Sequence, residues 1–306
     1  MLQGTTIQAR VVRVVDGDTV RVASDELEKE ESLRILALDT EESNPGSSKP
    51  VTPLGHQAKK HAEGFFSPGD AVELEFPGTE SVEVALERYR GNFGRLLVYL
   101  HKDGVDFQEM MIREGYSPYF VKYGNADFHH DRYRAAEREA QQRGIKVWNQ
   151  IEENGSEIRN YAALGTWWAL RARVIDEYRR IQPTEPNLLN SRLDFEEIRR
   201  RAENRQQATI FTALSGIDRV GQRHALVKIG SRHQPFSLFI RDVEGNEESQ
   251  RIVRLLETRY ISGDDAHPRR SYAYIEGELV LYRGNPEIVL SSADQIRDEF
   301  QGCGAG

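Results

Sequence analysis

The stretch VVRVVDGDTVRV, residues 11–22, places Asp16 and Gly17 between two valine-rich runs. Asp-Gly flanked by alternating apolar residues is a strong short-range signal for a β-hairpin, because both residues accept the backbone angles of a tight turn. The turn does not need Asp18, however. A carboxylate that enters a valine-rich strand loses hydration, which costs free energy unless a partner compensates it. We therefore predict a hairpin whose turn also presents a functional carboxylate.

The chain has 306 residues, of which 38% are hydrophobic, enough for two packed domains. A single cysteine, Cys303, excludes an intramolecular disulfide scaffold. The first residues carry no signal-peptide pattern, and no apolar stretch approaches the length of a membrane span. We therefore expect a cytoplasmic protein that does not bind membranes; its oligomeric state does not follow from the sequence.

The formal net charge is −8, and residues 1–150 hold 19 Lys and Arg against 25 Asp and Glu. This balance is unlike that of proteins that bind duplex DNA through bulk positive charge. A polyanionic partner must therefore be bound through local basic patches or through a metal ion.

Residues 1–150 are predicted to form one domain of the α+β, mainly β class. After the hairpin, strands are expected at 33–38, 71–76 and 95–104, and helices at 54–66, 105–116 and 131–144. Short strands with interleaved helices favour a small five-stranded barrel of the OB type with helices packed against it.

A polar stretch at 149–157 marks the end of this domain. Residues 151–204 are predicted to be a helical linker with a long helix at 158–181 and a short one at 194–204. Strand patterns return at 224–230, 236–242, 271–284 and 287–292, with a helix at 248–260. This order predicts a second OB-fold barrel over residues 205–300, followed by a disordered tail at 301–306.

Carboxylates and a threonine follow the predicted strands of the first domain. Asp18 follows the hairpin turn, and Asp39, Thr40 and Glu42 follow strand 33–38. A barrel can bring such strand ends together. Carboxylates combined with a backbone carbonyl suit a hard cation such as Ca²⁺ or Mg²⁺, and a remaining glutamate can act as a general base on water.

Two arginines accompany these acids, Arg34 and Arg95. Guanidinium groups match phosphate in bidentate geometry, so the pair suggests stabilisation of a phosphate beside the metal. An EF-hand loop is excluded, because Val20 and Arg21 stand where it needs an oxygen ligand and a glycine. A sugar-nucleotide site of the Asp-x-Asp type is disfavoured, because the sequence lacks an alternating βαβ pattern.

Residues 7–149 resemble the staphylococcal (micrococcal) nuclease family of thermonucleases. The stretches that carry the resemblance are VVDGDTVRV, LRILALDTEE, PLGHQAKKHAEGFF, NFGRLLVYL, IREGYSPY and AEREAQQRGIKVW. The resemblance implies Ca²⁺-dependent hydrolysis of phosphodiester bonds that leaves 5′-hydroxyl and 3′-phosphate ends, with Mg²⁺ or Mn²⁺ as possible replacements for Ca²⁺.

The family pattern assigns a role to each matching position. It makes Asp18 and Asp39 the metal carboxylates and the Thr40 carbonyl a third ligand. It makes Arg34 and Arg95 the catalytic phosphate contacts. Glu42 takes the place of the general base.

The sequence departs from the family at three positions near these residues, one of which is Asn92, where a charged residue is frequent. Glu41 replaces a proline, which removes a rigid φ angle and adds a negative charge beside Glu42. Phe93 stands where a tyrosine is common; it can stack on a base but cannot donate a hydrogen bond to phosphate. Substitute nucleic-acid contacts are expected from Tyr119, Lys122 and Tyr123.

The second domain offers aromatic and basic side chains at alternate strand positions. OB barrels bind single strands through such a combination. The predicted contacts are Lys228, Phe239, Arg241, Tyr272, Tyr274 and Arg283. The ending GELVLYRGNPEIVLSSADQI also resembles OB-fold domains appended to nucleases. The alternative is that the alternating aromatic side chains form the core of the barrel.

These observations predict a metal-dependent nuclease, an endonuclease in the main hypothesis, that acts on single-stranded DNA presented by the OB domain, with RNA as the alternative substrate. The alternative from another class is a non-catalytic scaffold that binds nucleic acid or protein through a degenerate nuclease domain. Such scaffolds typically lose the acidic and arginine positions that this chain retains. A third hypothesis, a phosphodiesterase for small esters, leaves the second barrel without a purpose.

Overall fold

A computed structural model describes residues 2–45, 50–91, 94–149, 159–261 and 267–301. The chain divides into two compact units. One contains the residues up to Gly91 together with Arg95–Trp168, and the other contains Gly94 together with the residues from Ala169 onward. Among the residues described, no helix combines the length and apolar character needed to cross a lipid bilayer. Apart from Gln301, the predicted disordered tail lies outside the described residues.

The first unit opens with the predicted hairpin. Strand β1 (Thr6–Asp16) pairs antiparallel with β2 (Thr19–Ala23). Val11, Val20 and Val22 are buried, so the valine pattern specifies the face that packs into the core. Asp16 pairs with Thr19, so Gly17 and Asp18 form the turn, and the Gly17 N–H donates to Asp16 Oδ1 at 2.8 Å.

Four further strands complete the first sheet: β3 (Glu31–Ile35), β4 (Ala71–Glu75), β5 (Leu96–Lys102) and β6 (Val105–Asp106). The sheet order is β3-β2-β1-β4-β5-β6, and β3 also pairs in parallel with β5. This extra pairing closes strands β1 to β5 into a barrel. The predicted five-stranded barrel of the N-terminal domain is therefore confirmed.

The helices of the first unit are α1 (Pro53–Phe65), α2 (Val82–Arg88), α3 (Phe107–Arg113) and α4 (His130–Arg143). The hydroxyl of Thr52 accepts from the Gly55 N–H at 3.0 Å and so caps the start of α1. Gly144, with φ of 58°, ends α4 in the left-handed conformation, as expected for a glycine after a helix. The seven-residue helix α2 was not predicted.

Helix α5 (Tyr161–Ile181) crosses the division between the units, which falls after Trp168. Two more helices follow, α6 (Phe195–Glu203) and α7 (Glu247–Leu255), the latter continued by a π-helical turn, Leu256–Tyr260. The strands of the second unit are β7 (Leu188–Asn190), β8 (Gln207–Ala213), β9 (Asp218–Val220), β10 (His224–Lys228), β11 (Ser237–Ile240), β12 (Tyr272–Glu278), β13 (Val280–Tyr282), β14 (Asn285–Leu290) and β15 (Ile296–Arg297).

These strands form two sheets rather than one closed sheet. Their orders are β13-β14-β11-β10-β9 and β15-β12-β8-β7. The strand predicted at 271–284 is interrupted at Leu279, which is fully buried and separates β12 from β13. Backbone pairing in the described part of the chain therefore gives five-stranded and four-stranded sheets, and a second closed barrel is not shown.

The later part of the predicted linker packs into the second unit. Strand β7 pairs in parallel with β8. Helix α6 buries Phe195, Ile198 and Ala202 in the same core as residues of strands β8, β10, β11, β12 and β14. Residues 188–203 thus contribute to the core of this unit, while residues 151–158 of the predicted linker lie outside the described residues.

Candidate active site

Arg34 joins the two aspartates that the sequence selected. From strand β3, its Nη1 donates to Asp18 Oδ2 at 2.9 Å and its Nη2 donates to Asp39 Oδ1 at 3.3 Å. Both aspartates are buried. Burial acts to lower the pKa of Arg34, but the attraction of Asp18 and Asp39 outweighs it and raises the pKa. The site therefore holds a fixed guanidinium between two carboxylates.

The loop after β3 is folded so that Asp39 and Thr40 lie in the interior. Ala37 adopts a φ of 63°, a left-handed angle that turns the chain sharply. The Phe120 N–H donates to the Ala37 carbonyl at 2.9 Å, and the Asp39 N–H donates to Ser117 Oγ at 2.9 Å. The segment 117–120 thus fixes the backbone that carries the predicted metal ligands.

Glu42 is positioned by the start of α1. The Thr52 N–H donates to the Glu42 carbonyl at 3.1 Å. A Cβ at Gly55 would lie only 2.0 Å from the same carbonyl oxygen, so the helix packs against this loop in a way that only glycine permits. This contact fixes the backbone of the predicted base relative to Asp39 and Thr40.

Arg95 lies near the same groups. Burial lowers the pKa of Arg95, and repulsion from Arg34 adds to the decrease, while Asp18 and Glu42 act in the opposite direction. Arg95 therefore lies close enough to Arg34, Asp18 and Glu42 for their charges to influence its pKa. The structure thus joins Asp18, Arg34 and Asp39 by direct hydrogen bonds, with Thr40 next to Asp39.

A residue that the sequence did not single out, Arg159, lies in the middle of this group. Its Nη1 donates to Asp39 Oδ2 at 2.6 Å, and its Nη2 donates to the carbonyls of Asp39 at 3.2 Å and Thr40 at 3.3 Å. Burial tends to lower the pKa of Arg159, yet the charges around it raise the pKa overall. Arg159 is thus a permanent cation in contact with predicted metal ligands.

Glu41, the residue that replaces the family's proline, forms an ion pair with Arg159. Its side chain is fully buried, and its Oε1 accepts from Arg159 Nε at 2.7 Å and from the Tyr161 hydroxyl. Its Oε2 is buried without a hydrogen-bond partner within the described ranges. No local signal at 159–161 predicted this, because 118 to 120 residues separate the partners.

The other predicted nucleic-acid contacts of the first unit differ in their exposure to solvent. Tyr123 is 55% exposed, and Lys122 Nζ lies 5.8 Å from the centroid of its ring. Tyr119 is buried and its hydroxyl contacts His130 Nδ1 at 3.0 Å, so it is not available to a base. Phe93 lies outside the described residues.

In the second unit, the predicted tyrosines are part of the core. Tyr272 and Tyr274 are buried, and both rings pack against Phe211. The alternative that the sequence left open, alternating aromatics as core, therefore holds for these two residues. Arg241 and Arg283 are exposed, and Phe239 is half-buried. Lys228 is exposed and pairs with Asp218 at 2.7 Å.

A second group of possible metal ligands lies elsewhere in the first unit. Glu75, His101 and His129 are buried, and one ligand atom from each lies within 4.8 Å of the others. Glu75 Oε2 is 2.8 Å from Nε2 of both histidines, and its Oε1 accepts from the Gln3 N–H at 2.7 Å. These hydrogen bonds satisfy the carboxylate without a metal ion, so the group is best described as a structural network.

The part of the chain that contains this site is similar in sequence to known nucleases. Residues 32–150 match the family described as "Staphylococcal nuclease homologue". The match includes five of the six predicted metal and catalytic positions, and the sixth, Asp18, precedes it. These residues form a staphylococcal-nuclease-like domain.

Three curated proteins align with part of the chain. The endonuclease YncB of Bacillus subtilis (strain 168) is 28% identical over 148 residues, which cover 48% of this chain and 64% of that protein. The SPbeta prophage-derived endonuclease YokF of the same organism is 29% identical over 138 residues, covering 45% and 43%. The thermonuclease of Staphylococcus hyicus is 27% identical over 141 residues, covering 46% and 75%. The alignments thus involve about half of this chain and, for the two endonucleases, less than two thirds of their length.

Proposed function

We propose that this protein is a metal-dependent nuclease that hydrolyses phosphodiester bonds at the Asp18–Arg34–Asp39 cluster. The observation that carries the proposal is the bridge formed by Arg34 between two buried aspartates. Removing charged groups from water costs free energy, and charged clusters with strongly perturbed pKa values are concentrated at functional sites. The nuclease-like match of residues 32–150 supports the same assignment.

The donor set suits Ca²⁺. Asp18 and Asp39 provide carboxylate oxygens and Thr40 provides a carbonyl, all hard ligands of the kind that Ca²⁺ and Mg²⁺ prefer. Contacts of Asp39 and Thr40 with the Arg159 guanidinium show that these oxygens already favour a cation. When bound, Ca²⁺ would neutralise phosphate charge and lower the pKa of a coordinated water.

The remaining groups have roles that follow from their chemistry. Arg34 and Arg95 are proposed to stabilise negative charge that develops on the phosphate oxygens in the transition state. Glu42 is proposed to accept the proton of the attacking water. Its position is fixed through the contact of its carbonyl with Thr52.

For the second unit we propose an OB barrel that binds a single strand. Parallel pairing of β11 with β14 in the second unit matches that of β3 with β5 in the first barrel. Helix α7 follows β11 just as α1 follows β3. If β8–β9 and β12–β13 are each counted as one bent strand, every neighbour pair of the first barrel has its counterpart in the second unit.

The proposed strand-binding surface lies on the outer face of β10 and β11. Lys228 and Phe239 occupy positions that alternate with the buried Val227 and Leu238. Arg283 lies in the turn between β13 and β14, which corresponds to the connection between strands 4 and 5 of an OB fold. OB folds bind oligonucleotides on strands 2 and 3 and on that loop. We therefore retain Lys228, Phe239, Arg241 and Arg283 as proposed contacts.

The proposal is tested with labelled single-stranded DNA, duplex DNA of the same sequence and RNA, each with Ca²⁺, Mg²⁺, Mn²⁺ or EDTA. We expect cleavage that requires a divalent cation and is fastest on single-stranded DNA. Equal cleavage of duplex and single strand would remove the proposed role of the second unit. Strand binding without cleavage under every metal would favour the scaffold hypothesis.

Phe239→Ala is expected to weaken binding of single-stranded DNA by roughly 10-fold, because stacking on one base contributes about 1–3 kcal/mol. The measurement is fluorescence anisotropy with a labelled oligonucleotide in EDTA, which prevents cleavage. Val289→Ala, on the neighbouring strand β14 and aligned with Phe239, is the matched control. Unchanged affinity of the Phe239 variant would contradict the proposed surface.

A further inference from the structure

Arg159 contacts the oxygens that are proposed to hold the metal. Its guanidinium donates to Asp39 Oδ2 at 2.6 Å and to the Thr40 carbonyl at 3.3 Å. These atoms belong to two of the three residues in the proposed donor set. A cation bound to the same oxygens must therefore share them with Arg159 or displace it.

A separate set of groups holds Arg159 in this position. Glu41 Oε1 accepts from Arg159 Nε at 2.7 Å, and the Tyr161 hydroxyl accepts from Arg159 Nη2 at 2.7 Å. Glu41 and Tyr161 are both buried, and the Glu41 Oε2 atom has no hydrogen-bond partner in the part of the chain described here. Because neither residue belongs to the proposed donor set, Arg159 has its own binding site beside the metal site.

The formal charge of the site indicates how Arg159 affects the binding of a metal ion. The group contains four carboxylates and three guanidinium groups, from Asp18, Asp39, Glu41, Glu42, Arg34, Arg95 and Arg159. Its formal charge is therefore −1. Without the charge of Arg159 it would be −2, which a divalent cation balances. Arg159 thus supplies part of the positive charge that a metal ion would bring.

We propose that Arg159 competes with the divalent cation for Asp39 and the Thr40 carbonyl, and that it thereby sets the metal affinity of the site. The inference rests on the proposed metal site. Competition of this kind is a thermodynamic coupling, so it is reciprocal: the metal ion must weaken the contact of Arg159 with Asp39 by the same factor. The chain therefore carries an internal counter-ion that keeps the site from loading at low metal concentration.

The test is isothermal titration calorimetry with CaCl₂, which measures binding without substrate or cleavage. Arg159→Gln is expected to bind Ca²⁺ roughly 10-fold more tightly than the wild type. Arg173→Gln is the control, since Arg173 is an exposed arginine on helix α5, which begins two residues after Arg159; its affinity should equal that of the wild type. Asp18→Ala, introduced alone and with Arg159→Gln, identifies the binding that belongs to this site.

A double variant separates competition for oxygen atoms from a change of total charge. Glu41→Gln combined with Arg159→Gln removes one charge of each sign, so the formal charge of the site is unchanged. It also avoids leaving Glu41 buried and charged without its arginine, which guards against loss of folding. Tighter Ca²⁺ binding by this variant supports direct competition for Asp39 and Thr40.

The possible failures are distinct. Ca²⁺ binding that depends on Asp18 but is equal or weaker in both Arg159 variants would overturn the competition and leave the metal site intact. Absence of Asp18-dependent binding in the wild type and in every variant would overturn the metal site and the competition together. Binding that appears only when Arg159 is replaced supports the competition in its strongest form.

Discussion

Replacement of Arg34 by alanine is expected to lower the rate of phosphodiester cleavage by roughly 10²- to 10³-fold, the loss typical of removing one preorganised donor from a transition state. The Arg34 side chain is 19% exposed and forms ion pairs with Asp18 and Asp39, so its guanidinium is held in place before substrate arrives. Arg34→Lys should recover little activity, because an ammonium group cannot reproduce the bidentate geometry of guanidinium.

The measurement is the initial rate of cleavage of a labelled oligonucleotide at saturating metal concentration. Arg138→Ala is the matched control, since Arg138 is an exposed arginine on helix α4. Circular dichroism and thermal melting establish whether each variant folds. A folded Arg34→Ala variant with wild-type activity would contradict the role assigned to this residue.

Glu75→Gln is expected to destabilise the first unit by about 3 kcal/mol, the scale of breaking a buried charged network by changing one partner. Glu75 is fully buried on β4, and its carboxylate contacts both His101 Nε2 and His129 Nε2 at 2.8 Å. The glutamine amide keeps only one acceptor oxygen. Whichever way the amide turns, its NH2 group faces either the two histidine Nε2 atoms or the backbone N–H groups of Gln3 and Gly4, so one half of the network is lost.

The same network predicts a pH dependence of stability. Burial acts to raise the pKa of Glu75, but hydrogen bonds from His101 and His129 and from the backbone N–H groups of Gln3 and Gly4 lower it well below its ordinary value. Since the folded pKa is lower than the unfolded one of about 4.3, the stabilisation is present above that pH. It is lost as the pH falls towards the folded pKa.

Urea unfolding followed by tryptophan fluorescence measures both effects, because Trp148, Trp167 and Trp168 all lie in the first unit. Glu73→Gln on the same strand is the control and should change the free energy of unfolding by less than about 0.5 kcal/mol. Wild-type stability should fall more steeply between about pH 5 and pH 3 than that of Glu75→Gln. Equal slopes would contradict the assignment of this pH dependence to Glu75.

The hairpin and the Asp18 position follow from local sequence. Asp-Gly fixes the turn, and alternating valines fix the face, so the surplus carboxylate is placed by the register of two strands. Arg34 is likewise placed by its position in β3. Local patterns therefore predict the strand positions of Asp18 and Arg34, whereas the ion pair between them was not predicted and is seen in the structure.

The role of Arg159 could not be predicted in the same way. Its contacts with Asp39 and Glu41 join parts of the chain separated by 120 and 118 residues. Periodicity and spacing report only on neighbours along the chain. Glu41 was recognised as a departure from the family pattern, but a buried glutamate does not reveal which distant arginine compensates it.

The aromatic positions of the second unit show that alternation along a strand does not predict which residues are buried. Tyr274 and Phe239 both follow the alternation of a strand, yet Tyr274 is buried and Phe239 is half-buried. Alternation separates two faces but does not say which face meets the core when both contain large side chains. Packing of helix α5 through Tyr178 against Phe211 places Tyr272 and Tyr274 in the interior.

The most direct test of the proposed function compares wild-type protein with Asp18→Asn in cleavage of one labelled single-stranded oligonucleotide, with Ca²⁺ and with EDTA. Asn keeps the size of the side chain and removes the charge of the proposed metal ligand. We predict cleavage by the wild type with Ca²⁺, none with EDTA, and a rate at least 10²-fold lower for a folded Asp18→Asn variant. Equal cleavage by the two proteins, or cleavage that persists in EDTA, would contradict the proposed nuclease site.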